Sequence, residues 1–291
     1  MLSPLRSILG VAALALAHLT TPTAADSPPQ KLPWDGRFHN IGNVTTKYLT
    51  HILTMRDDGR KGSVDQYVTI ENDGRKPGFN RDTGVANIAV DDTSIFKKQT
   101  NFRRSELVQF VETEPKGRTF FRASLKKNKH FHTKYQWQLT FTEQHVFEIR
   151  VDATLTPPMI IYLNNGTWDP KWEVEFKPMT WFNFGFAISP TKTGNRTKVE
   201  FYMSEGNAEL AHIRTDVTIK PFLPVEEFHI GALTLSDDGS QPKMNGEPEI
   251  LSYSGDPTVL VNLHCPDVLV HAIVRNARSM QHNDYIHSAG S

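Results

Sequence analysis

A chain of 291 residues, 38% hydrophobic and 10% aromatic, can bury one sizeable core, and its 32 basic and 32 acidic side chains leave no net charge to offer an anionic polymer. No basic cluster is interleaved with aromatics, which argues against nucleic-acid binding and favours a neutral partner. One cysteine, Cys265, excludes an internal disulfide, so the fold must be held by its core.

In chain order, residues 1–25 read as a secretory signal: Arg6, the uncharged run "ILGVAALALAHL", then Thr23 and Ala25 as small residues before a cleavage point after Ala25. That run is short for a bilayer, and nothing later approaches the roughly 20 apolar residues of a membrane span. The expectation is a soluble, secreted, extracellular protein. Its loss of Arg6 and no acid leaves the mature chain close to neutral. Sequons at Asn43 ("NVT"), Asn165 ("NGT") and Asn195 ("NRT") agree with export by a eukaryotic route.

Residues 26–33 read as a leader. Beyond them, short segments rich in Val, Ile, Phe, Tyr and Thr recur: "DQYVTI", "VANIAV", "RSELVQF", "TFFRASL", "YQWQLTF", "MIIYL", "WEVEF", "FNFGFAI", "TKVEFYM", "VTIKPFL", "FHIGALTL" and "EILSYSG". Turn signals such as "NDGRKPG", "EPKG", "NNGTWDP" and "KTGN" separate them. About a dozen strands without long amphipathic helices predict an all-β chain, an antiparallel β-sandwich or jelly roll with a concave substrate groove. A single domain over 26–256 is expected, with 257–291 as a C-terminal extension ending in a mobile tail.

Period-two alternation sorts the polar residues of these strands by face. In "YQWQLTFTEQHVF" a regular strand sets Trp137, Leu139, Phe141, Glu143, His145 and Phe147 on one side. Glu143 then continues an apolar row, where lost hydration favours the protonated carboxyl that a general acid requires. In "NFRRSELVQF" the shared face is Phe102, Arg104, Glu106, Val108 and Phe110, so Arg104 can hold Glu106 ionised. One carboxyl kept protonated beside one kept charged is the pair that glycosidic cleavage uses. The alternatives for the same residues are an Arg–Glu pair closing a sheet edge, a surface glutamate and a core-edge histidine. Glu143, His145 and Glu148 do not read as a metal site, because on a strand Glu148 points away from the other two. No cofactor is expected.

The ordered set "WDGRFHN", "FRRSEL", "QLTFTEQHVFEI", "WFNF", "VEFYMSEG" and "EFHIGALTL", spanning roughly residues 33 to 256, resembles glycoside hydrolase family 131, the fungal β-glucanases. The family's Arg-[Thr/Ser]-Glu-Leu motif falls on Arg104, Ser105, Glu106 and Leu107. Its Gln and Glu-x-His-x-x-Glu motif falls on Gln138, Glu143, His145 and Glu148, and its aromatic-His-aliphatic-Gly motif on Phe228, His229, Ile230 and Gly231. The resemblance implies a jelly roll whose groove carries Glu106, Glu143 and His229 as catalytic groups. Arg104, Gln138, His145 and Tyr67 are the expected substrate-binding residues. Phe228 stands where the family usually has Trp, and Trp137 where it has His, departures that bear on subsite specificity.

The expected activity is hydrolysis of β-glucan, with β-1,3/1,6 or β-1,4 linkages, by a monomer. Two other readings stay open at this point. A jelly-roll lyase acting on a uronate polymer would use Arg104 as charge neutraliser and Tyr67 or a histidine as base. A lectin-like sandwich would only bind sugars.

Overall fold

The computed structural model describes residues 34–54, 63–235, 239–244, 246–255 and 257–261. The expected secretory signal, Cys265 and the expected mobile tail lie outside the described residues. Within them the chain forms β1 (Trp34–Asp35), the single turn α1 (His51–Thr54), β2 (Val68–Glu71), β3 (Val85–Val90), β4 (Phe102–Glu112), β5 (Arg118–Lys126), β6 (Gln136–Thr142), β7 (Glu148–Asp152), β8 (Met159–Leu163), β9 (Trp172–Glu175), β10 (Phe182–Pro190), β11 (Thr197–Glu205), β12 (Ala211–Val217), β13 (Val225–Leu235), β14 (Glu249–Ser254) and β15 (Pro257–Val261). They make two antiparallel sheets, as the alternating pattern predicts. One runs β12-β11-β10-β5-β14-β3-β2, with β15 joining β5 to β1, and the other runs β4-β13-β6-β7-β8-β9. β15 belongs to the segment expected as a C-terminal extension, so the first sheet continues past residue 256.

Aromatic side chains fill the space between the sheets. Phe147, just before β7, stacks on Phe186 of β10 with ring centroids 4.1 Å apart, and Phe121 of β5 lies 5.3 Å from Phe228 of β13. Such contacts add about 0.5–1.5 kcal/mol each beyond the burial of their area. Asp82, fully buried, ties the N-terminal segment to this core, accepting backbone N–H bonds from Phe38, His39, Gly84 and Gly255. The segment so anchored delivers Leu49 to the free edge of β4, where it exchanges backbone hydrogen bonds with Val108. Ser94 accepts from Arg104 N on the same edge, so this edge is covered rather than open.

Three sequence expectations change. "VTIKPFL" is not a strand. Its place is taken by β12, an edge strand in which Ala211, Ile213 and Val217 alternate with His212, Arg214 and Asp216 but lie exposed, so that it buries little. "FTEQHVFEI" is not one strand but a hairpin, in which His145 sits at φ +56 and His145 N bonds back to Thr142 O. The turn brings His145 and Glu148 together at 3.0 Å, which a straight strand would forbid.

The third change is in β6 itself. Gln138 pairs with Arg150 but Thr140 pairs with Ile149, leaving Leu139 as an extra residue. This bulge reverses the alternation. Trp137 and Leu139 face the core, and Thr140 and Thr142 then face it in turn, while Gln138, Phe141 and Glu143 come to the outward face. The opposite irregularity falls at Gly231 and Ala232 of β13. Tyr253 of β14 reaches across the sandwich and donates its hydroxyl toward Gly231 O and Leu139 O, the latter at 3.1 Å. The single hydroxyl proton is thus shared between two carbonyls displaced by the bulge inside the core.

Glu226 is a core-side residue of β13, opposite Val111 and fully buried, and neither carboxyl oxygen has a hydrogen-bond partner among the described residues. Burial pushes its pKa up to about 8 from 4.5. The folded state therefore holds a proton that the unfolded chain releases between those values. Stability tied to it is fully present below pH 4.5 and is lost as pH rises through about 8. Thermal melts at pH 5 and pH 8 should show that Glu226→Gln reduces the alkaline loss of Tm by roughly 5–10 °C. Parallel curves for variant and parent would contradict this.

Candidate active site

The outward face of the second sheet collects most of the residues singled out by motif. β4 and β13 run in unbroken register, so Glu106 lies opposite Gly231, Val108 opposite His229 and Arg104 opposite Leu233. On the other side of β13, His229 lies opposite Phe141, and Phe141 lies opposite Glu148 of β7. Gly231 has φ +151, and a Cβ there would meet Ser105 O at 2.2 Å and Glu106 Cα at 2.7 Å. Only glycine lets β13 lie this close beside Glu106.

Glu106 is 1% exposed and matched on both oxygens. Arg104 donates Nε to Oε1 at 3.0 Å and Nη2 to Oε2 at 2.7 Å, a bidentate fork, and His229 Nδ1 donates to Oε2 at 2.8 Å. Burial alone would raise the Glu106 pKa, but the Arg104 charge and the His229 hydrogen bond outweigh it and hold the carboxyl below its usual range. His229 is likewise buried, which alone would discharge it. Hydrogen bonding to Glu106 and the nearby Glu227 charge push it instead up to about 9, so it is an imidazolium at neutral pH. Phe141 lies flat on its ring, centroids 4.4 Å apart.

The far nitrogen of His229 faces two more carboxylates. Nε2 is 3.4 Å from Glu227 Oε1 and 3.6 Å from Glu143 Oε2. These are ion-pair distances without hydrogen-bond alignment, so the Nε2 proton is not committed. Glu143 is tethered through its backbone N–H to Glu227 O. Its side chain is 57% exposed. The expectation that apolar neighbours dehydrate Glu143 is thereby corrected: the bulge and the turn carry it off the apolar row into solvent.

Gln138, in register with Arg150, is buried with its Nε2 unpartnered among the described residues. His145 pairs with Glu148. Tyr67 is not brought to these strands: its ring is part of the core and its hydroxyl lies 2.9 Å from Thr93 Oγ1. Asn43 and Asn195 are exposed, whereas Asn165 is half-buried, with its amide donating to Asn164 Oδ1 and its Oδ1 accepting from Ile219 N. Among the described residues no group of three or more His, Cys, Asp or Glu could hold a metal ion.

Two site residues were missed from sequence. Glu227 shares a face with His229 by simple alternation, a signal that was there to use. His51, on α1, feels the charges of Glu227, His229, Arg104 and Glu106, and burial lowers its pKa. It is placed by the Leu49–Val108 bridge, which no local pattern announces.

An antiparallel jelly roll with a chain of ionised groups across one sheet face, ending in a solvent-exposed carboxyl, has the build of a carbohydrate-cleaving enzyme. The model of the glycoside hydrolase 131 catalytic N-terminal domain matches residues 32–256, and the chain belongs to that family; it is a glycoside hydrolase. The fold is similar to a GH131 β-glucanase catalytic domain from Podospora anserina, at TM-score 0.63 and 21% identity over 80% of this chain and 97% of that one. It is also similar to the catalytic domain of the glycoside hydrolase family 131 protein from Coprinopsis cinerea, at TM-score 0.60 and 20% identity over 78% and 94%. No curated protein matches the chain.

The ionic state of this site is directly measurable. The charged imidazole of His229 adds stability fully present below pH 6.5 and lost as pH rises through about 9. The depressed Glu106 adds stability present above 4.5 and lost on acidification below it. An NMR titration should find the His229 ring protonated up to about pH 9, and Glu106→Gln should lower that midpoint because burial is then less opposed. A wild-type midpoint at 6.5 or below would contradict the arrangement.

Proposed function

We propose that this enzyme is a secreted β-glucanase that hydrolyses neutral β-linked glucan, with β-1,3/1,6 or β-1,4 linkages, along the outward face of β4, β13, β6 and β7. The observation that carries this reading is the continuous line Arg104–Glu106–His229–Glu143, buried at one end and open to solvent at the other. In this reading Glu143, the open carboxyl, protonates the oxygen of the departing sugar as the glycosidic C–O bond breaks. Water bonds to the anomeric carbon and passes its proton to the ionised partner. In the first assignment Glu106 is that partner and takes the water's proton directly on a carboxylate oxygen, while Arg104 and the already protonated His229 hold its charge.

A second assignment is favoured by one observation. Glu106 is 1% exposed, while the Glu227 side chain is 28% exposed and within 3.4 Å of the same imidazole. Glu227 then receives the water proton, and Glu106 fixes the charge and orientation of His229. Arg104, Gln138 and His145 are the proposed sugar contacts under either assignment; the core position of Tyr67 gives it no part.

Glu143→Gln should lower turnover at least a hundredfold with little change in Tm, since the side chain is largely in water. Glu106→Gln should lower both, because breaking a buried charge pair costs about 3–5 kcal/mol. Glu227→Gln separates the two assignments: a hundredfold loss supports Glu227 as base, and a loss under about tenfold supports Glu106. Laminarin, pustulan and cello-oligosaccharides should give new reducing ends. An unsaturated, ultraviolet-absorbing product from glucuronan, with no release from these glucans, would mean a lyase instead.

The secretory signal, a monomeric state and glycosylation belong to the same proposal. Mass spectrometry of the secreted protein should find glycans at Asn43 and Asn195 and little at Asn165, whose amide is engaged; full occupancy of Asn165 would contradict the local structure.

A further inference from the structure

Three strands along from Glu106, the same sheet face repeats its arrangement. Glu148 of β7 is fully buried; Arg150, two residues on, donates Nε to one oxygen, and His145 Nδ1 lies 3.0 Å from the other. This is the Arg104–Glu106–His229 trio again in reversed chain order. Phe141 lies between them, its ring nearly parallel to both imidazoles at 4.4 Å from His229 and 6.1 Å from His145.

The surroundings of the second trio differ. His229 is closed in, but the His145 side chain is 33% exposed. Arg150 lies 5.3 Å from the ring centre of Trp168, in the loop after β8, and Trp168 is 45% exposed. One face of the indole is against a guanidinium and much of the rest is in water. A solvent-facing aromatic alone is unremarkable in a protein surface. The independent sign is Gln138, in register with Arg150, 5% exposed, with an amide nitrogen that has no partner among the described residues. A buried donor left without an acceptor is costly, and a bound hydroxyl would recover that cost.

We propose that the face of β6–β7 together with the loop after β8 is a second sugar-binding subsite, in which Trp168, held from one side by Arg150, offers its open face to a glucosyl ring while Gln138 and His145 hydrogen-bond hydroxyls of the sugar chain. It rests on the β-glucanase reading above. Trp168 presents a flat, stiff hydrophobic surface suited to a pyranose face. Glu148 fixes Arg150 and His145 in place; burial opposes its charge, but both partners outweigh that and keep its carboxyl below the usual range. Adjacent strands lie about 4.8 Å apart, so His229 and Arg150 are separated by roughly 10 Å, a span for a chain of sugars rather than one. The subsite therefore selects for substrate length.

The test is calorimetric binding of laminari- and cello-oligosaccharides, from disaccharide to hexasaccharide, to the slowly turning Glu143→Gln protein with and without Trp168→Ala. The loss of affinity should grow with chain length, reaching about tenfold for the hexasaccharide, and Trp168→Phe should restore most of it. Gln138→Leu should show the same length dependence, with melting curves for all variants confirming the fold. Equal hexasaccharide affinity with and without Trp168, or a loss independent of length, overturns the subsite while leaving the β-glucanase reading standing. Failure of both the wild-type enzyme and Glu143→Gln to bind any of these glucans overturns both.

Discussion

The outward face of the six-stranded sheet is organised around one buried charge. A carboxylate without access to water has to be matched by donors at hydrogen-bond distance or it takes up a proton. Glu106 is matched by a guanidinium from its own strand and an imidazole from the next. That requirement dictates the rest. β13 has to pass beside β4 closely enough for His229 to reach Glu106, and Gly231 makes the approach sterically possible. With Glu106 negative, His229 stays positive, and a fixed positive charge then stands beside Glu143 and Glu227.

The same requirement reaches into the core. For Phe141 to lie on His229 and Glu143 to face outward, β6 must change the side on which its odd-numbered residues point. The bulge at Leu139 does this, and the Tyr253 hydroxyl on Leu139 O and Gly231 O makes the displaced carbonyls tolerable. Tyr253 comes from the opposite sheet, so the shape of the site is tied to how the two sheets pack. The Glu148 trio on β7 uses the same device of a buried carboxylate clamped by an Arg two residues away and by a histidine.

Legibility in the sequence followed regularity. The sandwich class, most strands and the face shared by Arg104, Glu106 and Val108 could be read because β4 and β13 alternate without interruption. The outward orientation of Glu143 could not. Leu139 looks like any strand leucine, and the bulge depends on contacts with Gly231 and Tyr253 that are distant in sequence. Tyr67 misled because an aromatic in a strand-like segment fits a core as well as a groove, and only the packing decides. β12 was passed over although Ala211, Ile213 and Val217 alternate with His212, Arg214 and Asp216, and His51 was hidden because a bridge between Leu49 and Val108 positions it. The family motifs named Glu143 and His229, whose side chains the fold brings within 3.6 Å of each other, whereas the periodicity argument for Glu143 failed.

The central claim is that Glu106 and Glu143 work from opposite sides of the His229 ring. Oxygens 2.8 Å from one ring nitrogen and 3.6 Å from the other stand well apart with the imidazole between them, on the order of 8 Å, a separation of the inverting class and beyond the roughly 5 Å of a nucleophile pair. Proton NMR of the first products from a β-linked gluco-oligosaccharide measures this directly. The account predicts that the new reducing end appears as the α-anomer before mutarotation. Initial appearance of the β-anomer would contradict it.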